Sequence, residues 1–276
     1  MIERTDFGDV TRLRMWTLRS VLVGYDVSAW IVRGVLLDTG PWHTRNDLLT
    51  VLRTLPVRGA IVTHWHEDHA GNVPVLAADR VPMWMAPYTE ERLRAPFTPK
   101  FYRRFTWGAS ARLSGVVPPF DHAPLQVVHT PGHSADHHIV FDPETRTLFS
   151  SDLWLGVKVR VVGEEENPYE IVRSLDRAIA LAPVRMFDAH RGLIERPTDA
   201  LRAKRDWLAG TIDAIERRLD AGASEDAILR EVLGGEESLA LVTQGEYCRR
   251  NLVRTVRANR SSERASHGPE NRGGAP

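Results

Sequence analysis

Four potential metal ligands fall within six consecutive positions of the chain. The run reads Thr63-His64-Trp65-His66-Glu67-Asp68-His69 and follows the apolar stretch Ala60-Ile-Val. His64 and His66 are two residues apart in extended backbone, so their side chains point to the same side. Asp68 and His69 follow where the chain turns into a helix. Because imidazole and carboxylate groups suit Zn²⁺, Fe and Mn, this single loop is able to supply two adjacent metal centres.

Three more potential ligands stand at the ends of predicted strands further along the chain. They are His133 in Thr130-Pro-Gly-His-Ser, Asp152 in Ser150-Ser-Asp-Leu, and His190 in Phe187-Asp-Ala-His-Arg-Gly. A lone histidine is more often a surface or core residue than a ligand. Seven donors in this order, four of them in one short run, favour a metal site instead.

The seven donors and their strand context resemble the metallo-β-lactamase superfamily. The resemblance includes Leu36-Leu-Asp-Thr-Gly and extends to about Pro197. The segment Thr130-Pro-Gly-His-Ser-Ala-Asp-His is most similar to the glyoxalase II and lactamase-β-2-like branches, in which a histidine also follows four residues after the ligand. The resemblance implies a first metal held by His64, His66 and His133, a second held by Asp68, His69 and His190, and Asp152 as a bridge between them.

This resemblance also implies a hydrolase. Two ions about 3.5 to 4 Å apart share a water and lower its pKa toward neutrality, which makes hydroxide available as the nucleophile. Zn²⁺ is the expected metal, with Mn²⁺ or Fe²⁺ as alternatives. The expected catalytic residue is Asp68, which would orient the hydroxide or pass its proton to the leaving group. The expected substrate is a small ester, thioester or lactone.

Two further residues have predicted roles beside the metals. Asp38 ends a buried strand, where its carboxylate would accept the second ring N–H of a metal-bound histidine or stabilise the turn before Gly40. His137 would contact the substrate or a water near the site. One observation disfavours a lactone as the substrate. The residues after Asp152 are Leu153-Trp154-Leu155, whereas lactonases of this superfamily often have a tyrosine there.

Two alternative functions share the same ligands. One is a metal-dependent endoribonuclease or phosphodiesterase whose C-terminal helices hold the phosphate backbone. The 36 Lys and Arg residues of the chain balance its 36 Asp and Glu residues, which disfavours nucleic-acid binding that does not depend on sequence, although a local patch would suffice. The other is a persulfide-dioxygenase-like oxidoreductase with a single iron, which would use only part of the ligand set.

Short apolar runs and helical spacings indicate a layered α/β fold, and the resemblance specifies an αββα sandwich with a C-terminal helical extension. Strands are expected within Ser20–Gly40 and at six later runs, and a helix is expected over Asn46–Leu55 with Asn46 as its N-cap. The later strand runs are Ala60–Thr63, Val81–Met85, Leu125–His129, Ile139–Phe141, Thr147–Ser150 and Arg185–Asp188.

The predicted domains are a metallo-β-lactamase-like domain over residues 1–196 and a helical extension over 197–260. Residues 261–276 contain almost nothing to bury and are expected to be disordered. Within the first domain, the aromatic and basic segment 88–120 is an insertion, interpreted either as a substrate lid that attracts anions or as an ordinary solvated helix pair.

Composition places the chain among ordinary folded proteins. It has 276 residues, of which 42% are hydrophobic and 26% charged, as is typical of globular domains. Its single cysteine, Cys248, forms no internal disulfide, which points to a reducing compartment. No apolar run is long enough for a membrane span and the first residues do not form a signal sequence. We therefore expect a cytoplasmic protein. We also expect it to be a homodimer and to act on a small molecule.

Overall fold

A computed structural model describes residues 1–266, with side chains as far as Arg260. The strands are β1 Ile2–Asp6, β2 Val10–Met15, β3 Val27–Val32, β4 Val35–Leu37, β5 Gly59–Val62, β6 Met83–Met85, β7 Gln126–His129, β8 His138–Asp142, β9 Thr147–Ser151, β10 Val162–Gly163, β11 Arg185–Asp188, β12 Gly192–Ile194 and β13 Tyr247–Cys248. The helices are α1 Leu18–Leu22, α2 Arg45–Leu52, α3 Glu67–Ala70, α4 Val73–Ala78, α5 Pro87–Arg94, α6 Phe101–Thr106, α7 Pro168–Ala180, α8 Pro197–Asp220, α9 Glu225–Leu233, α10 Leu239–Val242 and α11 Arg249–Ser266.

Two sheets form the centre of the fold. The first contains β1 to β6 in chain order, antiparallel as far as β4 and parallel from β4 to β6. The second has the order β12-β11-β9-β8-β7, in which β9 and β11 pair in parallel and the other pairs are antiparallel. Most of the predicted site residues directly follow β4, β5, β9 or β11. Because β4 pairs in parallel with β5, and β9 with β11, these residues lie at the same edge of the two sheets.

Three apolar clusters separate four layers of structure. The cluster between the sheets joins residues such as Trp30 and Ile61 of the first sheet to Phe149 and Phe187 of the second. A second cluster packs the other face of the first sheet against α2 and α4. A third packs the other face of the second sheet against α7, α8, α9 and α11. Helix, sheet, sheet and helix layers make this an αββα sandwich, as the resemblance implies.

Alternation along the strands explains why both faces of each sheet are covered. In β8, Ile139 and Phe141 belong to the helix-side cluster, whereas Val140 belongs to the cluster between the sheets. In β11, Met186 and Phe187 divide in the same way. Since successive side chains of a strand point to opposite faces, strands buried on both sides are continuously apolar. This is why the short apolar runs in the sequence predict these strands correctly.

The first part of the predicted strand region is helical instead. Residues 18–22 form α1 because Thr17 and Ser20 make a capping box: Ser20 N–H donates to Thr17 Oγ1 at 3.1 Å and Thr17 N–H donates to Ser20 Oγ at 2.9 Å. These reciprocal bonds satisfy two backbone donors at the helix start. The strand prediction holds from Val27 onward, in β3 and β4.

The predicted N-cap of the next helix is also wrong. A 3-10 turn over Trp42–Thr44 leads into α2, which begins at Arg45, so Asn46 lies inside the helix. Thr44 stands at the N-cap position, but its hydroxyl donates to the Pro41 carbonyl oxygen at 2.9 Å rather than capping the helix. The preceding turn therefore sets the start of α2.

The C-terminal region is helical from Pro197, where the sequence predicts the extension to begin. Leu201 and Leu208 of α8 share a core with Leu148 of the second sheet, so the extension has no separate core of its own. Helix α11 continues to Ser266 and therefore includes the first residues of the segment predicted to be disordered. Residues 267–276 of that segment lie outside the described residues. No helix within residues 1–266 has the length and hydropathy needed to cross a bilayer.

Candidate metal centre

The His-x-His-x-Asp-His run leaves β5 and enters α3 at the edge of the first sheet. His64 and His69 are fully buried, and His66 and Asp68 are less than a tenth exposed. The ring centroids of His64 and His69 lie 4.2 Å apart, and those of His64 and His66 lie 4.6 Å apart. The four side chains predicted to act together therefore meet at one buried site.

Three other loops bring the remaining predicted donors to this place. His133 lies in the loop between β7 and β8, Asp152 follows β9, and His190 follows β11. The structure contains two groups whose ligand atoms all lie within 4.8 Å of one another. The first group, which we call the His133 group, is His64, His66, His133 and Asp152, and the second, the His190 group, is Asp68, His69 and His190.

Asp152 stands between the two groups, with one carboxylate oxygen facing each. Its Oδ2 is 3.3 Å from His133 Nε2, while its Oδ1 is 3.1 Å from His69 Nε2 and 3.4 Å from His190 Nε2. Burial disfavours the Asp152 carboxylate, but His69 and His190 outweigh burial and hold its pKa well below the ordinary value. An ionised carboxylate in this position is able to contact cations on both sides.

A glycine is needed to place His133. Gly132 has a φ of +132°, and a Cβ at this position would come within 2.5 Å of the Ile171 backbone nitrogen. The loop therefore packs closely against the start of α7 only because residue 132 has no side chain. This explains the glycine directly before His133.

The donor set fits divalent cations, judged from its hydrogen bonding. Among the buried side-chain atoms of the described residues that lack a hydrogen-bond partner, three belong to the donor groups: His64 Nε2, His69 Nε2 and Asp152 Oδ1. Buried polar groups in native proteins almost always have partners, so these atoms are suited to an ion. His133 Nε2 and His66 Nδ1, two ring nitrogens, also approach to 3.0 Å, as expected of two ligands that converge on one cation.

The electrostatics of the site favour the same conclusion. Burial, with the neighbouring imidazoles, lowers the pKa of His64 and His66 well below the ordinary value, so both rings have the neutral form that binds metals. Burial also opposes a charge on His69, but Asp152, Asp38 and Asp68 outweigh it and raise the pKa of His69. The same carboxylates would stabilise a metal cation.

Asp38 contacts a donor histidine, as one of its two predicted roles requires. Its Oδ2 is 2.7 Å from His69 Nδ1, and its Oδ1 accepts the Thr63 N–H at 2.8 Å. The residue has a φ of +61°, a conformation that Asp and Asn adopt more readily than other non-glycine residues. Asp38 thereby holds the His69 ring with Nε2 directed at the donor groups.

His137, the other residue predicted to lie beside the metals, is fully buried. Its Nδ1 lies 3.1 Å from the Thr130 carbonyl oxygen, and its Nε2 accepts the Asp152 backbone N–H at 3.2 Å. Both ring nitrogens thus have partners inside the protein. His137 supports the backbone of Asp152.

The sequence analysis does not identify Glu166, which also contacts a donor histidine. Its Oε1 is 3.1 Å from His133 Nδ1. Burial opposes a charge on His133, but the hydrogen bond to Glu166 and the negative charges of Asp152 and Glu166 together outweigh burial and raise the pKa of His133. The only sequence signal is an acidic run, Glu164 to Glu166, directly before the helix cap Asn167.

A cavity of about 250 Å³ opens beside His66 and His133. The insertion contributes Phe97, Lys100 and Arg103 to its wall, and the C-terminal extension contributes Glu246 and Tyr247. Segment 88–120 thus covers one side of the site, as the lid interpretation requires. Most of its cations are paired with acids, which reduces the positive charge that the segment presents to the cavity. The ion pairs are Arg92–Glu165, Arg94–Glu90, Lys100–Glu246, Arg103–Glu67 and Arg103–Glu246.

The family model of the metallo-beta-lactamase superfamily matches residues 22–205. The chain belongs to this superfamily. The match includes all seven predicted ligands, whereas Glu246 and Tyr247 in the cavity wall lie beyond it. Part of the cavity of this superfamily member is therefore built by the C-terminal extension.

Proteins similar to this superfamily member include curated relatives and solved structures. A beta-lactamase-like protein 2 homolog from Drosophila melanogaster is 27% identical over 68% of this chain and 68% of its own length. An atrochrysone carboxyl ACP thioesterase from Aspergillus chevalieri is 30% identical over 46% of this chain and 39% of its own length. For most such relatives the match spans less than two thirds of the relative.

Among solved structures, a metallo-beta-lactamase family protein from Thermus thermophilus has a TM-score of 0.66 at 15% identity. The alignment covers 94% of each chain. At this identity the likeness concerns the fold, and it extends through the C-terminal helices as well as the sandwich.

Proposed function

We propose that this chain is a hydrolase that uses two divalent metal ions, with Zn²⁺ as the expected metal, to cleave a small ester, thioester or lactone. The position of Asp152 carries the proposal, because its two oxygens face two separate groups of donors. When bound, two such ions supply a water of lowered pKa and polarise the substrate carbonyl oxygen.

The residues of the chain have distinct roles in this proposal. The His133 group would hold one ion and the His190 group the other, with the Asp152 carboxylate between them. Asp68 Oδ2 lies 3.5 Å from His190 Nε2, and Asp68 orients the attacking water and transfers its proton. Asp38 and His137 keep His69 and Asp152 in place. The side of the cavity formed by Phe97 and Tyr247 excludes solvent from the substrate.

Among the three substrate classes we favour a thioester. Two of the curated relatives bear the name atrochrysone carboxyl ACP thioesterase. In thioester hydrolysis the carbonyl carbon forms a bond to the water oxygen and its bond to sulfur breaks. The water then gives up two protons: one goes to the departing thiolate, with Asp68 as the carrier, and the other is released from the carboxylic acid product.

The C-terminal arginines give little support to the endoribonuclease alternative. Phosphate contacts need free cationic side chains, whereas the α11 arginines up to Arg260 make ion pairs within the extension. The pairs are Arg249–Glu237, Arg250–Glu225, Arg250–Asp226, Arg254–Glu225, Arg257–Glu225 and Arg260–Asp220. The alternative of a single-iron dioxygenase would leave one of the two donor groups without a role.

The proposal is tested by metal analysis combined with a substrate panel. Protein purified without chelator is analysed for zinc, manganese and iron, and then assayed on thioesters, lactones, phosphodiesters and RNA. We expect about two divalent ions per chain and hydrolysis of a thioester that a chelator abolishes. One iron per chain with oxygen uptake, or cleavage of RNA alone, would overturn the proposal.

Three further expectations accompany this function as proposals. The substrate is a small molecule, the protein acts as a homodimer, and it works in the cytoplasm. The homodimer is tested by analytical ultracentrifugation of the purified chain.

A further inference from the structure

We propose that Glu166 is a positioning residue for His133 and sets the metal affinity of the His133 group. The inference rests on the proposed function, because it requires that the two donor groups bind divalent ions. It adds a residue from outside the ligand motifs, on the loop between β10 and α7.

The geometry of His133 gives its two ring nitrogens different partners. On one side, Nδ1 is 3.1 Å from Glu166 Oε1. On the other side, Nε2 is 3.3 Å from Asp152 Oδ2 and 3.0 Å from His66 Nδ1. A carboxylate at Nδ1 keeps the proton on that nitrogen, so the lone pair of Nε2 is directed into the donor group.

Glu166 is held in this position by its own backbone. Its N–H donates to the Gly163 carbonyl oxygen at 3.1 Å, and the next residue, Asn167, donates its N–H to the Gly132 carbonyl oxygen at 2.7 Å. Gly132 directly precedes His133. The loop that carries the glutamate is therefore hydrogen-bonded to the loop that carries the histidine.

Space around the Glu166 side chain is restricted as well. A Cβ added to Gly163 would lie 3.4 Å from Glu166 Cγ, 3.5 Å from Glu166 Oε1 and 3.2 Å from a ring carbon of Tyr247. The Glu166 and His133 side chains are only 11% and 7% exposed. A hydrogen bond to a carboxylate with so little competing water is strong.

Each donor group contains a histidine whose Nδ1 lies within hydrogen-bonding distance of a carboxylate oxygen. In the His190 group this pair is His69 with Asp38, at 2.7 Å. In the His133 group it is His133 with Glu166. Partners of this kind orient metal-binding histidines and increase their basicity, and their loss typically weakens metal binding about 10- to 100-fold. The structure thus assigns Glu166 to one group the role that Asp38 has in the other.

The neighbouring glutamates provide matched controls. Glu164 and Glu165 are exposed, and the Glu165 carboxylate lies 3.9 Å from Arg92 with its side chain 59% exposed. All three glutamates have the same charge and lie in the same loop, but it is Glu166 whose carboxylate is paired with His133. A general effect of negative charge would therefore be shared by all three.

The experiment measures zinc affinity by chelator competition in wild type, Glu166→Ala, Glu166→Gln, Glu164→Gln and Glu165→Gln. We expect Glu166→Ala to weaken the binding of one of the two zinc ions about 10- to 100-fold and to change the visible spectrum of the Co²⁺-substituted protein. Glu166→Gln keeps an acceptor oxygen without the charge, so its loss is smaller. Both control variants stay within about twofold of wild type.

Three outcomes decide between the possibilities, with circular dichroism to verify that each variant is folded. Zinc affinities of Glu166→Ala within about twofold of wild type, with two ions bound, overturn the inference and leave the proposed function intact. Equal losses in Glu165→Gln and Glu166→Gln also overturn it, because charge alone then explains them. A folded wild-type protein that binds no divalent ion overturns both.

Discussion

Asp68 and Asp38 contact opposite sides of the same histidine. Asp38 Oδ2 lies 2.7 Å from His69 Nδ1, and Asp68 Oδ2 lies 3.8 Å from His69 Nε2, on the side of the donor groups. Although both are aspartates, one faces the protein and the other faces the reacting centre. Substitutions that keep the shape and remove the charge are expected to separate their roles.

Asp68→Asn is expected to lower kcat for the hydrolysed substrate by about 10²- to 10⁴-fold, the usual contribution of a general acid or base. The asparagine side chain fills the same space, so the fold stays intact. Steady-state kinetics, with circular dichroism as the control for folding, provide the measurement. A variant that is folded, loaded with metal and nearly as fast as wild type would remove Asp68 from the mechanism.

Asp38→Asn is expected to weaken zinc binding about 10- to 100-fold. Asparagine tolerates the positive φ of this position and is still able to accept the Thr63 N–H, but its amide has no charge to hold the His69 proton on Nδ1. Zinc retained during dialysis against a weak chelator is the quantity to measure. Wild-type zinc content in this variant would leave Asp38 as a residue of the turn alone.

Lys204 of α8 is a buried cation behind the Asp152 loop. Its side chain is 4% exposed, and its Nζ donates to the carbonyl oxygens of Leu153, at 2.7 Å, and Trp154. Burial lowers the pKa of Lys204 to about 8. Between that value and the ordinary 10.5 of an unfolded chain, the unfolded state binds more protons, so this residue makes stability rise with pH.

Lys204→Met is expected to remove that dependence. From about pH 8 to pH 10, the free energy of unfolding of wild type rises relative to that of Lys204→Met, by about 1.4 kcal/mol per pH unit at most. Urea unfolding at several pH values measures the difference. Parallel curves for the two proteins over this range would show that Lys204 keeps an ordinary pKa in the fold.

At the scale of elements, Arg103 of α6 connects three parts of the chain. Its guanidinium lies 2.5 Å from Glu67 in the motif loop and 2.6 Å from Glu246 in the C-terminal extension. The Arg103 residue is 8% exposed. Since paired buried charges specify an arrangement more than they add stability, we interpret this triad as the contact that sets the insertion and the extension against the motif loop.

Arg103→Met is expected to destabilise the protein by about 3 to 5 kcal/mol, because it leaves the buried Glu67 carboxylate without its cationic partner. Arg104→Met provides the control, since Arg104 is exposed on the same helix and exposed substitutions usually change stability by less than about 0.5 kcal/mol. Urea unfolding compares the two variants. Equal stability in both would mean that the triad does not hold these elements together.

At the scale of the whole molecule, both sheets contribute residues to the donor groups. His64, His66, Asp68 and His69 follow β5 of the first sheet, whereas Asp152 and His190 follow strands of the second. An ion bound by both sets joins the two halves of the sandwich. Metal binding should therefore appear as stability of the complete fold.

Zinc is expected to raise the unfolding temperature in proportion to the logarithm of its free concentration. Above the dissociation constant, each tenfold increase adds about 1.4 kcal/mol per site, because the unfolded chain lacks the assembled site. Differential scanning calorimetry in zinc buffers gives the slope, with magnesium as the control ion. An unfolding temperature that neither zinc nor a chelator changes would contradict a metal centre.

Much of the fold and of the donor set follows from local sequence patterns. The donors His64, His66, Asp68 and His69 lie close together because they belong to one short loop. The strands are recognisable because strands buried on both faces are apolar throughout. The order of the further donors, with the resemblance they carry, leads to His133, Asp152 and His190. The same resemblance predicts the αββα arrangement.

The remaining features depend on contacts between residues that are far apart in the chain. Glu166 lies 33 positions from His133, and Arg103 lies 143 positions from Glu246. No local spacing predicts such pairs, because they form only when separate loops pack at the same edge. Likewise, the sequence leaves open what His137 contacts, and the fold places its Nε2 against the Asp152 backbone N–H. The sequence therefore indicates which groups are able to bind a metal, whereas packing determines which groups hold them in place.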